Sequence, residues 1–312
     1  MKINLRILLY AVVAMIASSC NVAQDKNKTT ITSGVLKIGV DDSYSLMMDS
    51  QVFTYMGINK YAEILPTYKP EADIMRDLLN DSIQAAVVGR PLNEEELAYF
   101  KSIQRLPESI LIAHDGIALI LNPANTDTTI TLQQLRDIFE GRDSLWSQLS
   151  AKSVTGKIQV VFDNPKSCNA RTIKEKFGIE EFPPYCFSQR TNEEVINYVN
   201  QNKNAIGIIS ISWISDQEDP VSKKYRSMVN TFGIIDSSNV IKPGLPRRPF
   251  QAYVFDKTYA LRREVYYIRT GLSGTLGTGF ANHLAGEKGQ LVIHKMGMVA
   301  AITPNRTVKI SE

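Results

Sequence analysis

A stretch in the middle of the chain, DNPKSCNARTIKEKF (163–177), places small hydrogen-bond donors at the start of a predicted helix. Ser167, Cys168 and Asn169 come where the helix begins, and Arg171 follows in its first turn. Free backbone N–H groups and the macrodipole make a helix start a favourable place for an anion. An Arg guanidinium can hold an oxyanion with two parallel hydrogen bonds. The stretch is therefore a candidate oxyanion site. The alternative is that Ser167 or Asn169 only caps the helix and that Arg171 is a solvated charge.

The N-terminal twenty residues have the pattern of a secretion signal. Lys2 and Arg6 precede an apolar run at 7–16, which is too short to cross a hydrocarbon layer of about 30 Å. The small residues 17–19 then lead to Cys20, the arrangement that a lipoprotein signal peptidase accepts. We predict a signal peptide at 1–19 with Cys20 lipidated, the alternative being an ordinary signal peptide and a chance Cys.

The remaining sequence indicates how the chain is organised and which classes of binding site it does not favour. The polar stretch 20–34 is not periodic and predicts a flexible tether, with the fold beginning near Val35. The chain of 312 residues is long for one core and favours two domains. Its net charge of +3, without a basic run, does not indicate nucleic-acid binding. With three His and three Cys in all, we predict neither a zinc site nor a cofactor. Whether Cys168 and Cys186 pair stays open at this point.

Short β-branched runs alternate with amphipathic segments along most of the chain. This alternation predicts an α/β fold with mostly parallel sheets. The predicted strands are 35–40, 84–89, 110–113 and 116–121 around a turn, 158–162, 205–211 and 263–268. The predicted helices are 45–56, 71–79, 93–100, 131–139, 169–177, 192–199, 280–286 and 287–296.

Five stretches, in order, resemble the substrate-binding proteins of phosphate-type ABC transporters, which have the class II periplasmic binding fold. They are VVGRPLNEEEL (87–97), TLQQLRDIFEGRDSLW (131–146), NAIGIISISW (204–213), YALRREVYYI (259–268) and GFANHLAGEKGQLVIHKMGMVA (279–300). The resemblance covers most of the chain from Val35 to Ala301. It implies two α/β lobes joined by two crossing strands, with the solute clamped between them. Lobe one would comprise 35–118 and 261–312, and lobe two 119–260.

The resemblance also brings residues of lobe two into a solute site. The family carries an Arg, then Ser-Gly-Thr at a helix start, in the place of DNPKSCNAR (163–171). Ser167 matches the family's Ser, while Cys168 and Asn169 stand for Gly and Thr. Asp163 replaces the Arg, and Arg171 lies further along in the helix.

Lobe one departs further from the family pattern. Gly89 and Arg90 precede Pro91 where the family has an Asp that accepts a proton from phosphate. Arg90 would add positive charge to an anion or, alternatively, pair with Glu94 or Glu95. The first strand ends in DDSYS (41–45), where the family has small hydroxyl residues and Gly, so Ser43 is a candidate donor.

The carboxylates of lobe one leave two alternatives open. Asp41 and Asp42 either cap helices or face the cleft, and Glu71 is a first-turn carboxylate that either stabilises its own helix or faces the cleft. If Asp42 and Glu71 both lined the cleft, they would repel a doubly charged anion, but Asp42, Asp163 or Glu71 could accept the proton of phosphate. Because the family's proton-accepting Asp is missing before Pro91, we expect weaker rejection of sulfate than the family shows.

These observations predict a lipid-anchored, extracytoplasmic solute-binding protein for a small oxyanion, and the resemblance implies that this anion is phosphate. It would be a monomer that serves an ABC permease. Nothing resembles a nucleophile elbow or a metal-binding helix, so an enzyme is not expected. The alternative is a partner-binding or sensory lipoprotein that kept the fold and lost or changed its solute.

Overall fold

A computed structural model describes residues 29–150, 156–239, 241 and 243–302. Its main feature is a curled sheet of ten strands in the order β2-β1-β3-β12-β4-β8-β6-β7, with β9 and β13 pairing to β4. A small second sheet has the order β11-β10-β5. The strands are β1 Ser33–Asp41, β2 Tyr61–Lys69, β3 Ala85–Val88, β4 Glu108–Leu121, β5 Thr129–Thr131, β6 Gln159–Phe162, β7 Cys186–Ser188, β8 Ala205–Ser210, β9 Asn230–Thr231, β10 Gly233–Ile235, β11 Pro246–Arg247, β12 Arg262–Arg269 and β13 Val299–Ala300.

Helices cover the sheet, which confirms the predicted mixed α/β class. A short 3-10 helix, Asp42–Tyr44, leads into the first α-helix. The α-helices are α1 Ser45–Ile58, α2 Glu71–Leu79, α3 Glu94–Ser102, α4 Leu132–Phe139, α5 Trp146–Leu149, α6 Cys168–Phe177, α7 Asn192–Gln201, α8 Ser212–Ser215, α9 Pro220–Met228, α10 Gln251–Phe255, α11 Leu276–Ala285 and α12 Glu287–Lys295. None of those in the described part of the chain has the length and apolarity needed to cross a membrane.

The long strand β4 belongs to both halves of the sheet. It pairs antiparallel with β12 as far as Gly116 and with β8 from Ile117 onward. On one side of this changeover β1, β2 and β3 run parallel, and on the other β6, β7 and β8 run parallel. The result is a two-lobed α/β architecture. The exact lobe boundaries, 118/119 and 260/261, stay predictions.

Local sequence signals explain where several helices begin. Thr131 and Gln134 form a reciprocal capping box at α4, and Asn93 and Glu96 form another at α3. Ser167 caps α6 by accepting the N–H of Ala170 at 3.3 Å. Gly178 ends α6 in the left-handed conformation, φ 69°. The helix of the candidate site is therefore fixed at both ends by its own sequence.

Three sequence-based predictions need correction. Residues 110–113 and 116–121 are parts of the single strand β4, because Gly116 continues the ladder instead of turning. The end of the predicted tether already belongs to the fold, because β1 begins at Ser33 and Tyr55 donates to the carbonyl of Ile31. No helix is predicted from the sequence at α5, α8, α9 or α10, and three of these four are only four or five residues long. The predicted signal peptide and Cys20 lie outside the described residues.

Candidate functional site

The two lobes meet at a seam formed by Asp41, Asp42 and Glu71 of lobe one with Cys168, Arg171 and Asn192 of lobe two. The seam lies beyond the carboxyl ends of β1, β3 and β6, where open α/β sheets place their ligands. Helices α2, α6 and α7 all begin there. Their first backbone N–H groups have no partner within their own helices, so the seam is rich in donors.

Asp41 lies at the centre of the seam and is completely buried. One carboxylate oxygen, Oδ2, accepts the backbone N–H of Glu71 at 2.9 Å and that of Cys168 at 3.0 Å. The other, Oδ1, accepts the N–H of Ser43 at 3.0 Å and the thiol of Cys168 at 3.0 Å. The side chain thus joins lobe one to the start of α6 in lobe two.

Asp42 makes a second contact of the same kind with α7. Its Oδ2 accepts the backbone N–H of Asn192 at 2.7 Å and the side-chain amide at 2.8 Å. Burial raises the pKa of Asp42, although the hydrogen bonds from Asn192 oppose this shift. A carboxylate of lobe one therefore occupies the helix start of α7 as well.

Glu71 is the third carboxylate of the seam and has only 2% of its surface exposed. Its Oε2 accepts the N–H of Gly89 at 2.7 Å, and both oxygens accept from the guanidinium of Arg171. Arg90 Nε lies 3.9 Å from Oε1. A side chain at Gly89 would lie 2.9 Å from Arg171 Nη2 and 3.1 Å from Cys168 Cβ, so glycine permits the close approach of the lobes.

Asp163 lies behind the seam in a buried polar network. Its Oδ1 accepts the hydroxyl of Ser167 at 2.7 Å and the amide of Asn169 at 3.1 Å. Its Oδ2 accepts the amide of Asn192 at 3.3 Å. Burial, together with the negative charge of Asp41, raises the pKa of Asp163 to about 7. A proton can therefore be held at this position near neutral pH.

A buried ion pair supports the seam from the sheet. Arg263 on β12 faces Asp115 on β4, with Nε 2.9 Å and Nη2 2.7 Å from Oδ2. The same guanidinium donates to Cys168 Sγ at 3.1 Å and lies over the ring of Tyr44. Burial raises the pKa of the Asp115 carboxyl, and the charge of Arg263 opposes that shift. Arg263 therefore links the crossing strands to the start of α6.

A further interlobe contact surrounds Ser43. Its carbonyl accepts the indole N–H of Trp213 at 3.1 Å and the hydroxyl of Ser212 at 3.3 Å. Its own hydroxyl lies 3.4 Å from Cys168 Sγ. The backbone of lobe one is thus held by α8 of lobe two as well as by α6 and α7.

The structure brings all six sequence-predicted ligand residues to the seam or to its immediate neighbourhood. Ser43, Cys168 and Arg171 contact carboxylates of the seam directly, while Ser167 and Asn169 contact Asp163. Their role in binding a solute stays a prediction.

Two details of the sequence-based picture change. Arg90 pairs with Glu96 through two hydrogen bonds of 2.7 Å, not with Glu94 or Glu95, because Glu96 is the capping-box residue that turns back toward the start of α3. Cys168 and Cys186 are both free thiols rather than a disulfide.

Sequence reasoning missed three residues of this region: Arg263, Asn192 and Trp213. Arg263 lay within a predicted strand whose alternate residues Val265 and Tyr267 are buried on the same face. That alternation was a usable sign that the Arg is buried and paired. Asn192 and Trp213 gave no comparable sign, because their partners are distant in sequence.

The described residues offer no obvious catalytic arrangement. No group of three or more His, Cys, Asp and Glu in them is placed to hold a metal ion. Burial raises the pKa of the Cys168 thiol well above its usual value, which is the opposite of what a nucleophile needs. The arrangement is suited to hydrogen bonding between lobes and to anions.

The fold is similar to that of solved structures described as phosphate-binding proteins. The structure aligns with a protein described as a phosphate ABC transporter substrate-binding protein with bound phosphate, from Clostridium perfringens, with a TM-score of 0.72 at 19% identity, over 86% of this chain and 100% of that one. An ABC-type phosphate transport receptor from Vibrio cholerae aligns with a TM-score of 0.62 at 21% identity, over 85% of this chain and 99% of that one.

Sequence comparison gives one match over about two fifths of the chain, to curated proteins, and one over most of it, to a family model. Phosphate-binding protein PstS 2 from two strains of Streptococcus agalactiae is 24% identical over 120 residues, 38% of this chain. The match spans only 39% of the length of these curated relatives. The family model for the PBP superfamily domain matches residues 23–288, most of the chain. The chain therefore belongs to the PBP (periplasmic binding protein) superfamily.

Proposed function

We propose that this chain is an extracytoplasmic, lipid-anchored solute-binding protein. It clamps a small oxyanion, with phosphate as the preferred solute, between its lobes and delivers it to an ABC permease. The observation that carries the proposal is the convergence of backbone N–H groups at the seam. Those of Ser43, Glu71 and Cys168 meet on a carboxylate, which is itself an oxyanion. Donors in this arrangement suit a phosphate oxygen equally well.

The charges around the seam support an anion that carries a proton. Phosphate keeps at least one proton near neutral pH, whereas sulfate keeps none. A buried donor without an acceptor costs about 1–3 kcal/mol. Glu71, which accepts the N–H of Gly89, supplies such an acceptor beside the donor groups. We therefore expect phosphate to bind more tightly than sulfate.

Titration calorimetry of ligand-stripped protein tests the proposal. We expect phosphate to bind, and we expect Ser167→Ala and Arg90→Ala each to weaken binding about tenfold or more. A hydrogen bond to a charged group contributes about 1.5–3 kcal/mol, and about 1.4 kcal/mol corresponds to a factor of ten.

Matched controls lie outside the seam. Thr131→Ala removes a helix cap of lobe two, and Arg142→Ala removes an exposed guanidinium. Both should bind phosphate as the parent protein does. No binding of either anion to the parent protein, or equal binding in the two seam variants and the controls, would contradict the proposal.

The lipid anchor is supported by the residues that precede Cys20. We expect membrane-extracted protein to have an intact mass that fits a mature chain beginning at lipidated Cys20. Cys20→Ala should yield protein that is uncleaved or released from the membrane. A mature chain with a free amino group at Asn21 or Ala23 would exclude this anchor.

A second candidate is a partner-binding or sensory lipoprotein that kept the fold. It is favoured by the way in which Asp41, Asp42 and Glu71 already occupy the donors of the seam. Thermal unfolding separates the candidates, since a solute at a hundredfold excess over Kd stabilises by about 2.7 kcal/mol. A rise in Tm with phosphate supports the solute-binding function, and no rise with any small oxyanion supports the second candidate.

A further inference from the structure

The Asp41 carboxylate has as many hydrogen bonds as its two oxygens can accept. Each oxygen takes two donors, at distances of 2.9 to 3.0 Å. An ionised carboxylate offers about four lone-pair sites, so the side chain is saturated. It lies where a solute oxygen would meet the starts of α2 and α6.

The donors come from both sides of the seam. The N–H groups of Ser43 and Glu71 belong to lobe one, and the N–H and thiol of Cys168 belong to lobe two. A free anion that joined these groups would draw the lobes together. Asp41 makes the same connection from within the chain.

We infer that Asp41 is an internal occupant of the oxyanion site, which holds the lobes closed without solute and determines how tightly a free anion binds. This inference rests on the proposed function. Because Asp41 is fixed at the end of β1, it competes at a high effective concentration. If only a fraction of molecules has the site vacant, the apparent Kd rises by the inverse of that fraction.

Charge strengthens the competition. An entering oxyanion meets the carboxylates of Asp41, Asp42 and Glu71 together, and like charges at short range disfavour binding. Replacing Asp41 would remove one of these charges and free two backbone donors of helix starts. The other two carboxylates would remain in contact with Asn192, Gly89 and Arg171.

The test compares Asp41→Ser with the parent protein by titration with inorganic phosphate. We expect at least tenfold tighter binding for Asp41→Ser. Asp41→Asn keeps the shape and removes the charge, and it should fall between the two. Asp41→Asn also tests the inference if Asp41→Ser does not fold, since it too should bind phosphate more tightly than the parent protein. Asp77→Ala is the control, since it removes a carboxylate of lobe one that pairs with Lys69, away from the seam. It should leave phosphate affinity unchanged.

Hydrogen exchange without phosphate gives an independent measurement. The amides of peptides containing Glu71 and Cys168 should exchange at least tenfold faster in Asp41→Ser than in the parent protein or in Asp77→Ala. Unchanged exchange would overturn the inference. Equal or weaker phosphate binding by Asp41→Ser, with binding to the parent protein intact, would also overturn it and leave the proposed function standing. If no variant binds phosphate, the proposed function fails, and faster exchange in Asp41→Ser alone would still support the internal contact.

Discussion

Arg263→Met is expected to lower the free energy of unfolding by about 3–5 kcal/mol at neutral pH, because it leaves the Asp115 carboxylate buried without its partner. Both side chains of the pair are almost inaccessible, 3% and 0% exposed. The substitution also removes a hydrogen bond to Cys168 and the cation over the ring of Tyr44. Denaturant unfolding at constant pH measures the loss.

The double variant Arg263→Met with Asp115→Asn tests the physical reason. Without the buried charge, most of the lost stability should return, because a neutral amide can still accept the hydroxyl of Ser210. Arg105→Met is the surface control, since its pair with Asp81 is half-exposed and should contribute less than about 1 kcal/mol. Equal losses in the single and double variants would mean that packing, not the unpaired charge, is responsible.

Asp163 is expected to make the stability of the protein depend on pH between about 4 and 7. Its pKa is about 7 in the folded protein and about 4 when unfolded, so the folded state binds the extra proton in this range. The contribution is therefore fully present below about pH 4 and is lost as the pH rises toward 7, with a slope of about 1.4 kcal/mol per pH unit. Asp163→Asn, which carries no titrating proton, should lack this slope.

The measurement is the difference in unfolding free energy between the parent protein and Asp163→Asn from pH 4.5 to 8. The unfolding free energy of the parent protein minus that of the variant should decrease by several kcal/mol as the pH rises, and this difference should level off above pH 7. Asp81→Asn is the control: Arg105 lowers the pKa of Asp81, so its contribution changes only at lower pH, and Asn tolerates the positive φ of that position. If the difference in unfolding free energy between the parent protein and Asp163→Asn did not change with pH, Asp163 would be charged in the folded protein throughout this range.

The sequence allowed much of the fold to be predicted because the relevant signals are local. The predicted helix 71–79 is reproduced residue for residue, and 169–177 differs from α6 by one residue. Both have capping or first-turn residues and apolar spacing within a few positions. The sequence predicts two strands in place of β4 because a glycine between two apolar runs resembles a turn. The ladder at Gly116 depends instead on distant partners, since Arg262 lies opposite it and its carbonyl accepts the N–H of Ile211.

The candidate site could be predicted only in part for a related reason. Local sequence located the starts of α2 and α6 and their donors. It did not show that Asp41, 127 residues before Cys168, supplies the acceptor. The sequence does not decide whether Asp41, Asp42 and Glu71 cap helices or face the cleft. In the structure Asp41 and Asp42 bind helix starts at the seam. Glu71 faces the seam and accepts from Gly89 and Arg171. The helix start that Asp42 binds belongs to the opposite lobe.

The position of β12 in the sheet has a consequence for the order of folding. This strand lies between β3 and β4 and pairs Tyr266 with Val88, roughly 180 residues earlier in the chain. The predicted second lobe, 119–260, is a continuous segment that can collapse before this pairing forms, whereas the first lobe must close a very long loop. Until β12 pairs with it, β3 is an edge strand with unpaired backbone groups that other chains can bind. The earliest folding intermediate should therefore be ordered in the second lobe, and its tendency to aggregate should reside in the first.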